Sequence, residues 1–332
     1  MSNYKQLIEH QASIAATALS RFLPKGSRFA LVDFPDHYNV GDSAIWLGEI
    51  ALFQRVAAAG PSYVSTVESY SPEALKAACP SGPIFISGGG NFGDIYPKHQ
   101  KFRVRLMGDF PDRDIIQLPQ SISFSTPAMV KETADAVRRH GRFTLLVRDQ
   151  ASLSFAQESL GCPARLLPDM AFGIGPIQRP TAASTPVFML LREDTERASY
   201  DRQPLLSRHD VMAADWLSEP RSFARICRWK TRFGMAAKGG MHSAAGQVYL
   251  YNCLAERRLD RGLKLLSSGR FVVTDRLHAH ILSTLMDIPH VVLDNSYRKI
   301  NNYMDAWTGS YEHVRRAGTA PEVIDHLRAW GL

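Results

Sequence analysis

Between residues 29 and 172 the chain alternates short apolar runs with stretches of helical periodicity, a rhythm that a parallel α/β sheet accepts and few other architectures do. The spacing predicts strands over 29–34, 62–67, 83–87, 114–118, 143–147 and 164–168. Between them it predicts helices over 45–59, 71–78, 126–140 and 151–160. Residues 173–186 then bring glycine, proline and small polar side chains, which read as a linker. A second α/β set begins at Val187. The expected fold class is therefore α/β, with two Rossmann-like domains over 1–175 and 186–332 facing a cleft. A single large sheet is the alternative.

The second half carries the densest chemistry. Phe271-Val-Val-Thr-Asp-Arg-Leu-His-Ala-His280 runs from a predicted strand into a helix on which Ile281, Leu282 and Leu285 recur, and 290–293 reads as the next strand. Arg276 and His278 thus stand at one strand's carboxyl end, with Arg298 and Lys299 beyond the other's. Open parallel sheets bind ligands in that crevice. Cationic and proton-transferring groups converging there suit a small, highly charged anion. Histidine titrates near neutrality, so His278 is a candidate for moving a proton. His280 lies two positions further along the helix, points elsewhere and reads as structural.

Four segments of the first half also lie just past predicted strands. In Asp36-His-Tyr-Asn39-Val-Gly41-Asp42-Ser43, Gly41 allows a tight turn and Asp42 or Ser43 can cap a helix whose N–H groups face the cleft. Ser87-Gly-Gly89-Gly90-Asn91-Phe-Gly-Asp94 reads as a backbone cradle for an anion or hydroxyl, or as a flexible surface turn. It matches neither a Walker loop nor a dinucleotide fingerprint. Arg148 can grip a carboxylate or phosphate with two parallel hydrogen bonds, or tie its own strand to the helix after it. Asp169 is a candidate base or a helix cap.

Composition narrows the partners. A net charge of +7 and a pI near 9.3 favour anionic ones. No helix-turn-helix, zinc-finger or aromatic-basic RNA motif accompanies that charge, so nucleic acid is not expected. The amino terminus lacks the apolar core of a signal peptide, and no apolar run approaches the ~20 residues of a membrane span. Cys79, Cys162, Cys227 and Cys253 are scattered and read as reduced thiols of a cytoplasmic protein. No His, Cys and carboxylate cluster has metal spacing. Residues 221–238 hold basic side chains and no acidic ones, with Phe223, Ile226, Trp229 and Phe233 near helical spacing. Such a segment can lie on an anionic membrane surface or simply be a domain helix with a solvated basic face.

Taken together, these blocks resemble the polysaccharide pyruvyl transferase family. The resemblance rests on Asn39-Val-Gly-Asp42, Gly88-Gly-Gly-Asn91, Leu118-Pro-Gln-Ser, Val147-Arg-Asp-Gln-Ala-Ser152, Pro168-Asp-Met-Ala-Phe172, Asp275-Arg-Leu-His-Ala279 and Asp294-Asn-Ser-Tyr-Arg-Lys299, in the family's order over roughly residues 30 to 305. It implies a GT-B-like fold and transfer of pyruvate from phosphoenolpyruvate to two hydroxyls of one sugar, closing a cyclic ketal. It associates Arg148, His278 and Lys299 with phosphoenolpyruvate and assigns the amino-terminal loops to the acceptor. Ser43 departs from the larger polar residue common in relatives.

The expected donor clamp is then Arg148, Lys299, Arg276 and His278, with phosphoenolpyruvate in the carboxyl-terminal half. His278 is the expected acid–base residue, and Asp169 or Asp94 the candidate acceptor of a hydroxyl proton. Asn39, Gly41, Asp42, Gly89, Gly90, Asn91 and Asp94 are expected on the acceptor side. The donor itself supplies a reactive enol, so no metal or organic cofactor is expected. A lipid-linked saccharide is the expected acceptor, with a nucleotide sugar as the alternative, and the enzyme is expected in the cytoplasm, either free or peripheral at the membrane's inner face. Two other readings stay open: a glycosyltransferase of similar fold using a nucleotide sugar, and a non-catalytic saccharide-binding relative.

Overall fold

A computed structural model describes residues 3–192, 200–217, 219–220, 222–240, 243–294 and 298–332. Arg221 of the basic segment and Asn295, Ser296 and Tyr297 of the last motif lie outside the described residues. The chain opens with helix α1 (Asn3–Leu19), which the sequence reading did not anticipate. Then follow β1 (Ala30–Val32), α2 (Val40–Ala57), β2 (Tyr63–Ser65), α3 (Pro72–Ala78), β3 (Ile84–Ile86) and β4 (Gly89–Gly93). The first half continues with α4 (Pro97–Asp109), β5 (Ile115–Ser123), α5 (Pro127–His140), β6 (Phe143–Val147), α6 (Gln150–Phe155) and β7 (Ala164–Leu166). These strands form one parallel sheet in the order β2-β1-β3-β5-β6-β7, with β4 also pairing β5.

Past a 3-10 turn, Met170–Ile174, no regular element occurs until β8 (Thr185–Leu190). After it come α7 (Gln203–Leu206), β9 (Val211–Ala213), α8 (Phe223–Ala237), α9 (Ala244–Ser267) and β10 (Gly269–Thr274). The chain ends with α10 (Leu277–Leu285), β11 (His290–Leu293), α11 (Lys299–Tyr303), β12 (Val314–Ala317) and α12 (Ala320–Ala329). Its second sheet is also parallel, in the order β12-β11-β10-β8-β9. The fold is thus α/β with two Rossmann-like, GT-B-like sheets, not one large sheet.

Alternation along the strands explains why both faces of each sheet are covered. Leu31, Phe85 and Ile116 turn to one face of the first sheet, and Ala30, Val32, Ile84, Ile86 and Ile115 to the other. The first face is completed from far along the chain, by Cys227 and Met235 of α8 and Leu250, Tyr251 and Leu254 of α9. Reciprocally, Ile8 of α1 and Val40 and Ala44 of α2 bury against Phe188, Val272 and Val292 of the second sheet. Each half therefore supplies part of the other's core. Among the described residues no helix is long and apolar enough to cross a membrane.

Candidate active site

The carboxyl ends of the two sheets face each other across a cleft of about 360 Å3. That volume suits a small-molecule site, for which ~300–1,000 Å3 is usual. Arg148, Arg276, His278 and Lys299 all line it. Arg148 follows β6 and is buried, at 3 % exposure. Its Nε donates to Ser121 Oγ at 2.9 Å and its Nη1 to Asp169 Oδ2 at 2.6 Å. Ser121 in turn donates to Asp149, which caps α6 through the Ser152 N–H. The guanidinium is thus oriented from behind and presents its remaining edge toward Gly90: a Cβ built there would lie 3.1 Å from Nη2 and 3.8 Å from Lys299 Nζ. Gly90 keeps open the space between two cations.

Asp169 joins the halves. Its Oδ2 meets Arg148 and also lies 3.4 Å from His278 Nε2, while Oδ1 accepts the Ala171 N–H and so caps the turn that follows. Burial alone would raise its pKa; the adjacent His278 side chain, then the Arg148 charge, outweigh that and hold the carboxyl well below the usual range. A carboxylate so held is a poor proton acceptor. Its position beside His278 Nε2 is one from which it can orient the imidazole. Tyr303 Oη, itself donating to Gln11 of α1, takes the Asp169 N–H, and Trp307 Nε1 donates to the Arg148 carbonyl. Arg276 is fixed by Asp215 at 2.8 Å. His280 is fully buried between His290 Nε2 and Thr308 Oγ1, both at 2.7 Å, away from the cleft.

The amino-terminal loops behave differently from the sequence reading. Asn39, not Asp42 or Ser43, caps α2: its Oδ1 accepts the Gly41 N–H while its Nδ2 donates to Asp42 Oδ2 at 2.8 Å. Asn39 and Asp42 line the cleft. Gly41 makes no turn; it sits in the first turn of α2, where any Cβ would overlap the His278 ring. The glycine segment is strand β4, and the N–H groups expected to cradle a ligand are partly spoken for within the protein. Gly88 N donates to Glu49, Asn91 N to Gln120 and Gly93 N to Gln100. Gly89 backs onto Asp42 and Ile45 with φ 137°, a conformation open to glycine. Asn91 lines the cleft, its carbonyl groups held by buried Arg103. Asp94 is not brought into it: its carboxylate accepts four hydrogen bonds from Ser125 and Thr126 at the start of α5.

Comparison with known proteins places the chain in a family. The model of the family described as polysaccharide pyruvyl transferase matches residues 39–297. The chain belongs to that family. It is 31% identical over 315 residues to pyruvyl transferase 1 of Schizosaccharomyces pombe, covering 90% of this chain and 74% of that protein. It is 29% identical over 293 residues to the putative pyruvyl transferase EpsO of Bacillus subtilis, covering 86% and 87%. A crystal structure of a functionally uncharacterised protein from Klebsiella pneumoniae superimposes with a TM-score of 0.61 at 16% identity, over 96% of this chain and 99% of that one. That likeness concerns the fold. As a member of the family, the protein is a transferase of the pyruvyl-transferring class.

Within that family frame, a second histidine–carboxylate pair stands out, and sequence reasoning missed it. His99, on α4, lines the cleft, and its Nδ1 meets both oxygens of Asp33 at 2.9 and 3.0 Å. Asp33 directly follows β1 and is buried in a left-handed conformation, φ 68°, that aspartate tolerates better than most side chains. Its place at a strand's carboxyl end was a usable signal; nothing local marks His99, 66 residues away. Tyr38 and Tyr96, 48 % and 43 % exposed, also line the cleft and offer apolar ring faces there. Beneath the glycine segment, fully buried Glu49 accepts from Ser87 Oγ and Gly88 N, and burial pushes its pKa up to about 8.

Proposed function

We propose that the protein transfers pyruvate from phosphoenolpyruvate to two hydroxyls of one sugar in a polysaccharide precursor, forming a cyclic ketal and releasing phosphate. The observation that carries this reading is the convergence of Arg148, Arg276 and Lys299 on one cleft beside an Asp169-backed His278. Phosphoenolpyruvate has a carboxylate and a phosphate, and three converging cations can hold both ends. No metal or organic cofactor is needed, because the enol double bond is already reactive.

His278 protonates the methylene carbon, and the adjacent carbon becomes an oxocarbenium-like centre. A sugar hydroxyl adds there and gives its proton to His99, oriented by Asp33. The carbon–oxygen bond to phosphate then breaks, and the second hydroxyl closes the ketal. Its proton returns to His278, while His99 passes its own to the departing phosphate, so both imidazoles end as they began. Tyr38 and Tyr96 offer stacking faces for the sugar. A lipid-linked saccharide fits as acceptor, since such precursors present anionic diphosphates to a basic protein.

The test incubates purified protein with phosphoenolpyruvate and a panel of lipid-linked and nucleotide-linked saccharides. Stoichiometric phosphate release with a carboxyethylidene mass increase on one acceptor is the expected result. Thermal stabilisation by nucleotide sugars but not by phosphoenolpyruvate would overturn the reading in favour of a glycosyltransferase. At 100 times Kd, a true ligand stabilises by about 2.7 kcal/mol.

A further inference from the structure

Helix α8 carries a face that neither core nor cleft accounts for. It seats itself on the protein through Cys227, Thr231 and Met235, spaced four residues apart. At 3.6 residues per turn, the opposite side of the helix bears Ile226, Trp229 and Phe233, which are 43 %, 67 % and 91 % exposed. Three large apolar side chains aligned toward water are unusual unless something covers them. Exposed Arg225 and Arg232 flank the stripe on one side and exposed Lys230 on the other, and no acidic residue occurs from Ser222 to Lys238.

We propose that α8 docks the protein on an anionic lipid surface, with Trp229 and Phe233 entering the headgroup region and Arg225, Lys230 and Arg232 meeting lipid phosphates. Charge selects this occupant. A second copy docking through the same stripe would oppose two basic faces, which is repulsive. A rim of cations around aromatic side chains matches the negative leaflet and the preference of aromatic rings for the membrane–water interface. The helix also adjoins the cleft: Arg228 Nη2 lies 3.2 Å from Asp36, next to His37 and Tyr38 at the cleft's rim. Docking would bring that rim to the surface from which a lipid-linked saccharide is presented. This last point rests on the proposed acceptor; the docking itself does not.

The experiment measures flotation of the full chain with vesicles of phosphatidylglycerol and phosphatidylcholine, or phosphatidylcholine alone, at low and high salt. Binding is expected to the anionic vesicles only and to fall with salt, as the Debye length shrinks from ~10 Å at 0.1 M to ~3 Å at 1 M. Arg225→Gln with Arg232→Gln should weaken it about 25-fold, at roughly fivefold per charge. Trp229→Ser with Phe233→Ser should weaken it by about tenfold per ring. An unchanged melting temperature and circular dichroism spectrum would show that both double variants stay folded. Equal binding to neutral vesicles, or anionic binding that survives both double variants, would overturn the proposal. So would a dimer, abolished by the Trp229 and Phe233 changes, in a protein that binds no vesicle. Vesicle binding by a parent protein that forms no ketal would count against the proposed reaction alone.

Discussion

Gly41→Ala sets two local effects against each other. Alanine in a helix is ordinarily favoured over glycine by up to about 1 kcal/mol. Here the new methyl would sit on the His278 imidazole and 2.7 Å from its Cβ, where carbon atoms in contact keep ~3.5–4.0 Å. About 1 Å of relief is required. Leu277 and Ala279, buried on either side, anchor the α10 backbone, so the ring must swing. Overpacking of this kind costs about 1–3 kcal/mol, leaving a net destabilisation of roughly 0–2 kcal/mol after the helical gain. Misplacing a reacting group by about 1 Å can cost ~10²-fold in rate. The expected variant is therefore folded, melts within a few degrees of the parent, binds phosphoenolpyruvate normally and has lost about two orders of magnitude in kcat. Phosphate release at saturating donor and acceptor, calorimetric donor affinity and a melting curve together read this out. Gly262→Ala is the control, because its Cβ would press on Val40, away from the cleft. It should lower stability without a selective loss of kcat. A Gly41→Ala protein with near-parental kcat would refute the placement of His278 as the proton donor.

Further outcomes follow from the same geometry. Arg148→Lys cannot satisfy Ser121, Asp169 and the donor together, and kcat/KM for phosphoenolpyruvate should fall by ~10²–10³, as for loss of a preorganised donor; near-parental kcat/KM in a folded protein would remove Arg148 from the clamp. His99→Ala should lower kcat by ~10²–10⁴ with donor affinity unchanged; a change confined to the acceptor KM would make His99 a binding residue only. Glu49, with its pKa raised from 4.5 to about 8 by burial, contributes stability that is complete below about pH 4.5 and is lost as pH rises through 8. The shift bounds that loss at about 4–5 kcal/mol, and Glu49→Gln should flatten the stability profile across this window in pH-dependent urea unfolding. A parental slope in the variant would exclude Glu49 as its source.

Much of the scaffold was legible because its strands are apolar on both faces. The runs at 143–147 and 271–274 read directly as buried strands, and both sheets were foreseen from the alternation. α1 was not, since its buried stripe leans on Ala12, Ala15 and Ala18, which barely register as apolar periodicity. In the sequence β4 resembles a loop because glycine usually marks one, whereas here it permits close pairing: a Cβ at Gly93 would strike the Ser123 carbonyl. Arg148, Arg276, His278 and Lys299 each stand past a predicted strand, and all four line the cleft. Asp94 satisfied the same rule, yet its carboxylate is taken up by Ser125 and Thr126. Pairings such as Asp33 with His99 depend on how distant segments meet, which no local pattern records.

The exchange of core residues between the halves has a consequence for synthesis on the ribosome. When Phe172 has been translated the first sheet is complete in sequence, but Phe34 and Trp46 still lack their covering from α9. Tyr251, which stacks on Phe34 at 4.1 Å, arrives roughly eighty residues later. At ~5–20 residues per second that interval is about 4–16 s, during which an apolar sheet face stays open on the nascent chain. A truncated first half would keep that face permanently, so chaperone capture or precipitation of a 1–175 fragment is built into the way the helices are shared.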